Sequence, residues 1–149
     1  MANTTTTATD RIGRALRIIG AGLALRFNYT DSHHWLVESS EGTTNYKVTE
    51  TTCACSDFKK HEGAIICKHM WAGPGANAAM LIMKLRRCYS LADLREVGHL
   101  YAPALDGVAA GFVETARAEY RACVTRILNR ITYAPSLIEQ PARDRGLVA

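Results

Sequence analysis

The strongest constraint on the fold of this chain is a group of cysteine and histidine residues near its centre. Cys53 and Cys55 are separated by one residue, eleven residues follow, and Cys67 and His69 are again separated by one residue. In an extended segment, side chains two residues apart point the same way, so the sulfurs of Cys53 and Cys55 can reach one point. Three thiolates and one imidazole form a complete tetrahedral set of soft ligands, which predicts one bound Zn²⁺.

Four protein ligands leave no open coordination position for water, so we expect the ion to stabilise the fold rather than to catalyse a reaction. One alternative ligand set stays open, because His61 lies in the spacer and could replace His69. The metal would join the segment before Cys53 to the segment after Cys67 and so determine how the middle of the chain folds.

The remaining cysteines and the start of the chain indicate the cellular compartment. The chain has 5 cysteines, an odd number, and its first residues, MANTTTTATD, lack the apolar segment of a secretory signal. Because thiols stay reduced inside the cell, we expect a cytoplasmic protein without disulfides. Cys88 and Cys123 lie outside the cluster and are predicted to be small core residues, although Arg86 and Arg87 could instead activate Cys88 by lowering its pKa.

The cysteine and histidine pattern resembles the SWIM zinc finger, in which C-x-C, a variable spacer and C-x-H follow one another. The likeness extends to the Trp35–Ser39 segment, to Tyr46-Lys-Val48 and to Cys55-Ser-Asp-Phe58, and it covers about residues 34–72. It implies a ββα module whose ligands are Cys53, Cys55, Cys67 and His69. In family members the C-x-H usually continues into a long helix, whereas Gly73-Pro74-Gly75 ends that helix after one turn here.

The family is found in bacterial and archaeal proteins, in Mutator-like transposases and in recombination-associated proteins. It is associated with DNA binding and with protein–protein contacts. The resemblance therefore implies either of these roles for the finger, whereas residues 76–149 resemble no family that would add to it.

The sequence around the finger predicts an α+β fold, with an N-terminal helix, a small antiparallel β-sheet, the zinc finger and a helical C-terminal half. We expect a disordered arm at 1–10, a helix and finger at 11–75, a helical region at 76–133 and a flexible tail at 134–149. Asp10 is the predicted N-cap of the first helix, whose apolar stripe is Ile12, Leu16, Ile19 and Leu23. Arg11, Arg14 and Arg17 lie off this stripe and are expected to face solvent.

Three helices are predicted after Gly73-Pro74-Gly75. The first covers residues 76–88, and the second begins after Ser90 and ends at Gly98. The last helix has apolar residues at steps of three or four, and its predicted buried face is Val113, Ala116, Tyr120, Val124, Ile127 and Ile131.

Charge patterning suggests a contact with an anion. The net charge is +4, and most of the excess lies in the middle third of the chain. The predicted nucleic-acid contacts are Lys59, Lys60, Lys68, Arg86 and Arg87. The alternative is that these cations form a solvated surface, and that Glu114 and Glu119 neutralise the arginines of the last helix.

The resemblance to the SWIM finger, together with the basic middle third, implies a nucleic-acid-binding accessory subunit, for DNA rather than RNA, within a DNA-processing, transposition or recombination complex. The alternative is an adaptor that docks onto a larger protein through the finger and the C-terminal helices. We do not expect an enzyme or a small-molecule substrate, because the sequence lacks a phosphate-binding glycine loop, an open metal triad and paired carboxylates. Nor does it contain the apolar run that a membrane span requires.

Overall fold

The structure, a computed structural model, describes residues 7–29, 32–39 and 42–133. The first six residues of the predicted arm and the predicted tail at 134–149 lie outside the described residues. The elements are α1 (Ala8–Gly20), β1 (Ala24–Tyr29), β2 (Ser32–Glu38), β3 (Asn45–Val48), α2 (Ser56–Lys60), α3 (Lys68–Ala72), α4 (Ala76–Arg86), α5 (Leu91–Tyr101), a 3-10 helix (Ala102–Leu105) and α6 (Ala110–Tyr133). The predicted combination of helices with a small antiparallel sheet is confirmed.

Helix α1 begins earlier than the sequence predicted. Thr7 is its N-cap, and the Thr7 hydroxyl accepts a hydrogen bond from the Asp10 backbone N–H while the Asp10 carboxylate accepts one from the Thr7 backbone N–H. The prediction of Asp10 as the N-cap was therefore wrong, because Asp10 closes a capping box three residues inside the helix. Residues 8–10 belong to α1 rather than to the predicted arm.

The buried face of α1 also differs from the predicted stripe. Ile12, Ala15 and Ile18 are buried, whereas Leu16 and Ile19 are only partly buried. The prediction that Arg11 faces solvent was wrong, because Arg11 is only 7% exposed. The helix turns Arg11 toward α2, where a carboxylate is available to it.

The three strands form one antiparallel sheet in the order β1-β2-β3. Trp35 pairs with Val48 and Val37 with Tyr46, and the alternation buries Val37 and Val48 completely. After β3, a further backbone bridge joins Val48 to Cys53. The sheet therefore delivers the chain directly to the first cysteine of the cluster.

The break at Gly73-Pro74-Gly75, predicted from the sequence, allows two aromatic residues to approach the backbone. A Cβ at Gly73 would lie 3.1 Å from the Trp35 side chain, and a Cβ at Gly75 would lie 2.5 Å from the Phe112 ring. The Phe112 ring meets the Trp71 ring edge-to-face, with centroids 5.1 Å apart. Short helix α3 thus ends where Phe112 of α6 packs against Trp71.

Helix α5 has the predicted N-cap but not the predicted end. The Ser90 hydroxyl accepts from the Asp93 backbone N–H at 3.1 Å, and the Asp93 carboxylate accepts from the Ser90 backbone N–H at 2.9 Å. The helix does not stop at Gly98 but continues to Tyr101. Val97 and Tyr101 pack against the core, which offsets the cost of about 1 kcal/mol for glycine inside a helix.

Helix α6 buries a different face from the one predicted. Its buried residues are Phe112, Ala116, Cys123 and Ile127. Tyr120 is 43% exposed and Ile131 is 56% exposed, so the prediction was wrong for these two positions. The contact between Phe112 and Trp71 sets which face of α6 is turned toward the core.

Among the described residues, no helix is long and apolar enough to cross a membrane.

Candidate metal centre and basic cleft

The structure brings together the four residues that the sequence selected as metal ligands. Cys53, Cys55, Cys67 and His69 are all buried, and one candidate ligand atom from each lies within 4.8 Å of the others. Because Zn–S bonds are about 2.3 Å long, sulfurs around a tetrahedral zinc ion are separated by roughly 3.8 Å. The cluster is therefore close to the size that one tetrahedral ion requires.

The four candidate ligands are positioned by a tight turn and by the starts of two short helices. Cys53 follows a tight turn in which the Thr49 hydroxyl accepts a hydrogen bond from the Thr52 backbone N–H at 3.0 Å. Cys55 is the N-cap of α2 and Cys67 is the N-cap of α3, so both have the extended backbone typical of a residue preceding a helix. His69 lies in the first turn of α3.

Hydrogen bonds among the sulfurs divide their ionisation states. The hydrogen bond between Cys53 and Cys55 raises the pKa of Cys53 and lowers that of Cys55, whose thiolate is also supported by the Phe58 backbone N–H at 3.4 Å. A hydrogen bond with Cys53 lowers the pKa of Cys67, but one with Cys55 and burial together raise it to about 11. A bound cation would be required to hold all three sulfurs as thiolates.

The position of His69 also suits a metal ligand. Nδ1 of His69 lies 3.9 Å from the sulfur of Cys53, and Nε2 is buried without a hydrogen-bond partner among the described residues. The ring is held by Tyr46, whose centroid lies 4.6 Å away. Three sulfurs and an imidazole with one unpartnered nitrogen are a donor set suited to a metal ion.

His61 is placed outside this cluster. Its Nδ1 lies 2.8 Å from the backbone carbonyl oxygen of Asp57 and 3.5 Å from the Asp57 carboxylate. In the part of the chain that the structure describes, the group able to hold a metal contains His69 and not His61.

An ion pair links α1 to the segment that carries the cysteines. Nε of Arg11 donates to Oδ2 of Asp57 at 3.0 Å, and Nη2 donates to Oδ1 at 3.4 Å. The Arg11 side chain is 8% exposed and that of Asp57 is 31% exposed, so the pair is partly shielded from water. Asp57 follows Cys55 by two residues, and the pair therefore fixes α1 relative to the cluster.

A basic cleft lies beside the cluster, with a volume of about 470 Å³. Its walls come from α1, from the segment between β2 and β3, and from the two short helices that carry ligands. The residues that line it are Arg11, Arg14, Ser39, Thr43, Thr44, Tyr46, Cys55, Ser56, Asp57, Lys60, Lys68 and His69. Four of these are basic and one is acidic, so the cleft is electropositive.

A second depression of about 460 Å³ continues along α1. It is lined by Arg14, Arg17, Ile18, Leu23 and Lys68, so Arg14 and Lys68 border both spaces. The basic surface thus extends along one side of α1 and onto α3. Arg14 and Arg17 were not among the predicted contacts, although their spacing of three residues places them on one side of a helix.

The predicted nucleic-acid contacts fall in different surroundings. Lys60 and Lys68 line the basic cleft, and Lys59 is exposed on α2. On α4, Nη2 of Arg86 lies 3.1 Å from the carboxylate of Glu119, whereas Arg87 is exposed. The prediction that Glu119 neutralises an arginine of the last helix was wrong, because its carboxylate pairs with Arg86 of α4. Glu114 does pair with an arginine of its own helix, Arg117, at 2.7 Å.

Both cysteines outside the cluster are buried, as predicted. Cys88 is 3% exposed and Cys123 is completely buried, with its thiol donating to the Leu85 carbonyl oxygen at 3.1 Å. Burial raises the pKa of Cys88, so the alternative of an arginine-activated thiol was wrong.

Comparison with models of known protein families, with curated proteins and with solved structures finds no match to this chain.

Proposed function

We propose that the chain is a small structural-zinc protein that binds nucleic acid, DNA in preference to RNA, as an accessory subunit of a DNA-processing, transposition or recombination complex. The observation that carries this proposal is the basic cleft beside the cysteine–histidine cluster. Arg14 on α1, Lys60 on α2 and Lys68 on α3 border one concave space. Converging cations of this kind are the electrostatic footprint of phosphate binding.

In this proposal the metal is Zn²⁺ and residues 34–72 form a SWIM-like finger. Strands β2 and β3, the four clustered ligands and the following helix α3 occur in the order that such a ββα module requires. Three thiolates and an imidazole favour zinc over the harder divalent ions. The ion would hold β3, α2 and α3 together and thereby keep Lys60 and Lys68 at the cleft.

The proposed recognition is through the phosphate backbone. Lysine and arginine side chains that contact phosphates position a protein on DNA without reading its sequence. A Cys₃His zinc complex has a net charge of −1, since three thiolates exceed the charge of the ion by one. The four cations around the cleft outnumber this charge and that of Asp57 together, so an anion remains favoured there.

The test is the affinity of the zinc-loaded chain for a short duplex DNA, followed by fluorescence anisotropy at increasing salt. If three phosphates are contacted, the affinity should fall about 40-fold between about 50 mM and 200 mM salt. Lys60→Gln should weaken binding and reduce the salt slope by about one. Arg121→Gln removes the same charge from an exposed position on α6 and serves as the control. Absence of binding at low salt would contradict the proposal.

A second candidate function, a protein–protein adaptor, is favoured by an apolar cavity in the C-terminal half. The cavity has a volume of about 410 Å³ and lies among α4, α5, the 3-10 helix and α6, with Leu81, Leu85, Leu105, Val113 and Tyr120 in its walls. Large apolar residues are also exposed elsewhere on α5 and α6, namely Leu100, Leu128 and Ile131. Such a surface can receive an apolar segment of a partner.

The two functions are separated by paired variants. Tyr120→Asp places a charge at the cavity, and Arg14→Gln removes one from the basic cleft. The adaptor function predicts one stoichiometric partner that co-purifies after nuclease treatment and is lost in Tyr120→Asp but retained in Arg14→Gln. The nucleic-acid function predicts that Arg14→Gln lowers DNA affinity and that Tyr120→Asp leaves it unchanged.

A further inference from the structure

We infer that Tyr89 is a stacking platform for an unpaired nucleobase, with Arg87 and Arg130 as the contacts for neighbouring phosphates; this deepens the proposed function and rests on it. The ligand is therefore a single-stranded segment of nucleic acid. The bases of a duplex are already stacked on one another, whereas an unpaired base has a free face that can lie on an aromatic side chain.

The first observation is the exposure of the Tyr89 ring. Tyr89 lies between α4 and α5 and is 72% exposed, more than any other large apolar residue in the described part of the chain. A ring with so much of its surface in water contributes little hydrophobic stabilisation to the fold. It is accessible to a ligand without a rearrangement of the core.

The second observation is that the backbone of Tyr89 is fixed. Its N–H donates to the Asp93 carboxylate at 2.9 Å, and the same oxygen accepts from the N–H of Ser90, the N-cap of α5. These hydrogen bonds keep the pKa of Asp93 below its ordinary value, so the carboxylate is ionised at neutral pH. The preceding residue, Cys88, is buried. An exposed ring on an anchored backbone has less conformational freedom to lose when a ligand binds.

The third observation is a cation against the ring. Cζ of Arg130, on α6, lies 5.3 Å from the centroid of the Tyr89 ring, which is the geometry of a cation–π contact. One guanidinium covers one face of a ring, so the opposite face is the surface on which a base can stack. Arg130 is itself exposed, and its remaining N–H groups can donate to a phosphate beside that base.

The fourth observation is the charge around the platform. Arg87 lies two residues before Tyr89 and is exposed, and neither Arg87 nor Arg130 forms an ion pair with a described residue. The adjacent Arg86, in contrast, is paired with Glu119 at 3.1 Å. An aromatic ring accompanied by unpaired arginines is the combination that binds single strands, because bases stack on the ring and phosphates contact the cations.

The test compares two probes on the zinc-loaded full chain, a labelled oligothymidylate and a duplex of equal length, by fluorescence anisotropy. Tyr89→Ala should weaken oligothymidylate binding about tenfold, as expected for one lost base–aromatic stack, and should leave duplex affinity unchanged. Tyr89→Phe keeps the ring and should bind like the wild type. Tyr120→Ala removes another exposed tyrosine, on α6, and is the matched control that should change neither affinity.

Two further readouts separate stacking from charge and from folding. Arg87→Gln should reduce the salt slope of oligothymidylate binding by about 0.7, the value for one phosphate contact, whereas Tyr89→Ala should leave the slope unchanged. A strand that carries a fluorescent base analogue quenched by stacking should lose emission on binding to the wild type and to Tyr89→Phe, but not to Tyr89→Ala. The melting temperature of Tyr89→Ala should equal that of the wild type, because the ring is exposed.

The outcomes distinguish this inference from the proposed function. DNA binding in which Tyr89→Ala behaves like Tyr120→Ala, or in which Tyr89→Phe loses as much affinity as Tyr89→Ala, would overturn the platform and leave the function standing. Equal losses of oligothymidylate and duplex affinity in Tyr89→Ala would also overturn it. Binding of oligothymidylate without duplex would support the platform and contradict the contact of duplex DNA with the basic cleft. No binding of either probe at low salt would overturn both.

Discussion

Nε of Arg11 donates a hydrogen bond to Oδ2 of Asp57 at 3.0 Å across 46 residues of sequence. Arg11 lies in the first turns of α1, and Asp57 lies in α2, two residues after the cluster cysteine Cys55. Because the Arg11 side chain is 8% exposed, its charge would be left largely unsolvated without this partner. The pair therefore holds α1 at the position from which Arg14 and Arg17 reach the basic surface.

The first prediction concerns the strength of this pair. Arg11→Met and Asp57→Asn should each lower the free energy of unfolding, and the coupling energy from a double-mutant cycle should be about 1–3 kcal/mol. Urea unfolding of the wild type, the two single variants and the double variant measures this energy. Arg14→Gln, on the exposed side of α1, is the control and should change stability by less than about 0.5 kcal/mol. Fully additive effects of the two substitutions would contradict the structural role of the pair.

The second prediction compares two glycines. Gly75→Ala would place a Cβ 2.5 Å from the buried Phe112 ring, so the ring or the backbone must move and the melting temperature should fall by several degrees. Gly98→Ala meets nothing within 4 Å and lies inside α5, so it should stabilise the chain by about 0.5–1 kcal/mol. Thermal unfolding of Gly75→Ala checks the packing of α6 on α4, and that of Gly98→Ala checks the continuation of α5. A Gly75→Ala variant more stable than the wild type would contradict the packing of Phe112 against Gly75.

The third prediction concerns thiol chemistry. Burial raises the pKa of Cys88, so at neutral pH this thiol is protonated and unreactive, and its thiolate becomes populated only above the ordinary thiol range. Alkylation of the native, metal-loaded protein followed by mass spectrometry should leave Cys88 unmodified at neutral pH. Removal of the metal by a chelator should expose the cluster cysteines to the reagent first. Rapid modification of Cys88 in the native protein would contradict its placement.

The fourth prediction ranks the basic residues by their contribution to DNA affinity. Arg86 is paired with Glu119 at 3.1 Å, whereas Lys60 is exposed and lines the basic cleft. Arg86→Gln should therefore reduce DNA affinity less than Lys60→Gln, which is expected to cost about one phosphate contact. Anisotropy titrations of both variants at one salt concentration make the comparison. A larger loss of DNA affinity for Arg86→Gln than for Lys60→Gln would indicate that DNA binds at α4 rather than at the basic cleft.

The cysteine–histidine cluster could be predicted from the sequence because the information that specifies it is local. Cys53 and Cys55 are two residues apart in an extended segment, and Cys67 and His69 bracket the start of a short helix, so the spacing itself limits where the side chains can meet. The N-cap of α5 at Ser90 and the helix break at Gly73-Pro74-Gly75 were predictable for the same reason. A capping side chain and a proline between glycines determine the conformation of the backbone at their own positions.

The features that could not be predicted depend on distant partners. Nothing in the sequence near Arg11 indicates that Asp57 will neutralise it, and without that partner an arginine is expected in solvent. Similarly, the rotation of α6 follows from the fit of Phe112 against Trp71 and Gly75, which a periodic pattern of apolar residues does not contain. The basic cleft was missed because it arises only when α1 packs beside the cluster.

The most direct test of the central claim is the metal content of the natively purified chain, measured by elemental analysis together with that of two cysteine variants. We predict one zinc ion per chain in the wild type and in Cys88→Ala, and loss of the ion in Cys53→Ser. Loss of the ion should unfold the segment around β3, α2 and α3, because metal binding contributes on the order of 10 kcal/mol to the folding of this segment. Native protein without bound metal, or Cys53→Ser that retains both its zinc and its melting temperature, would contradict the account.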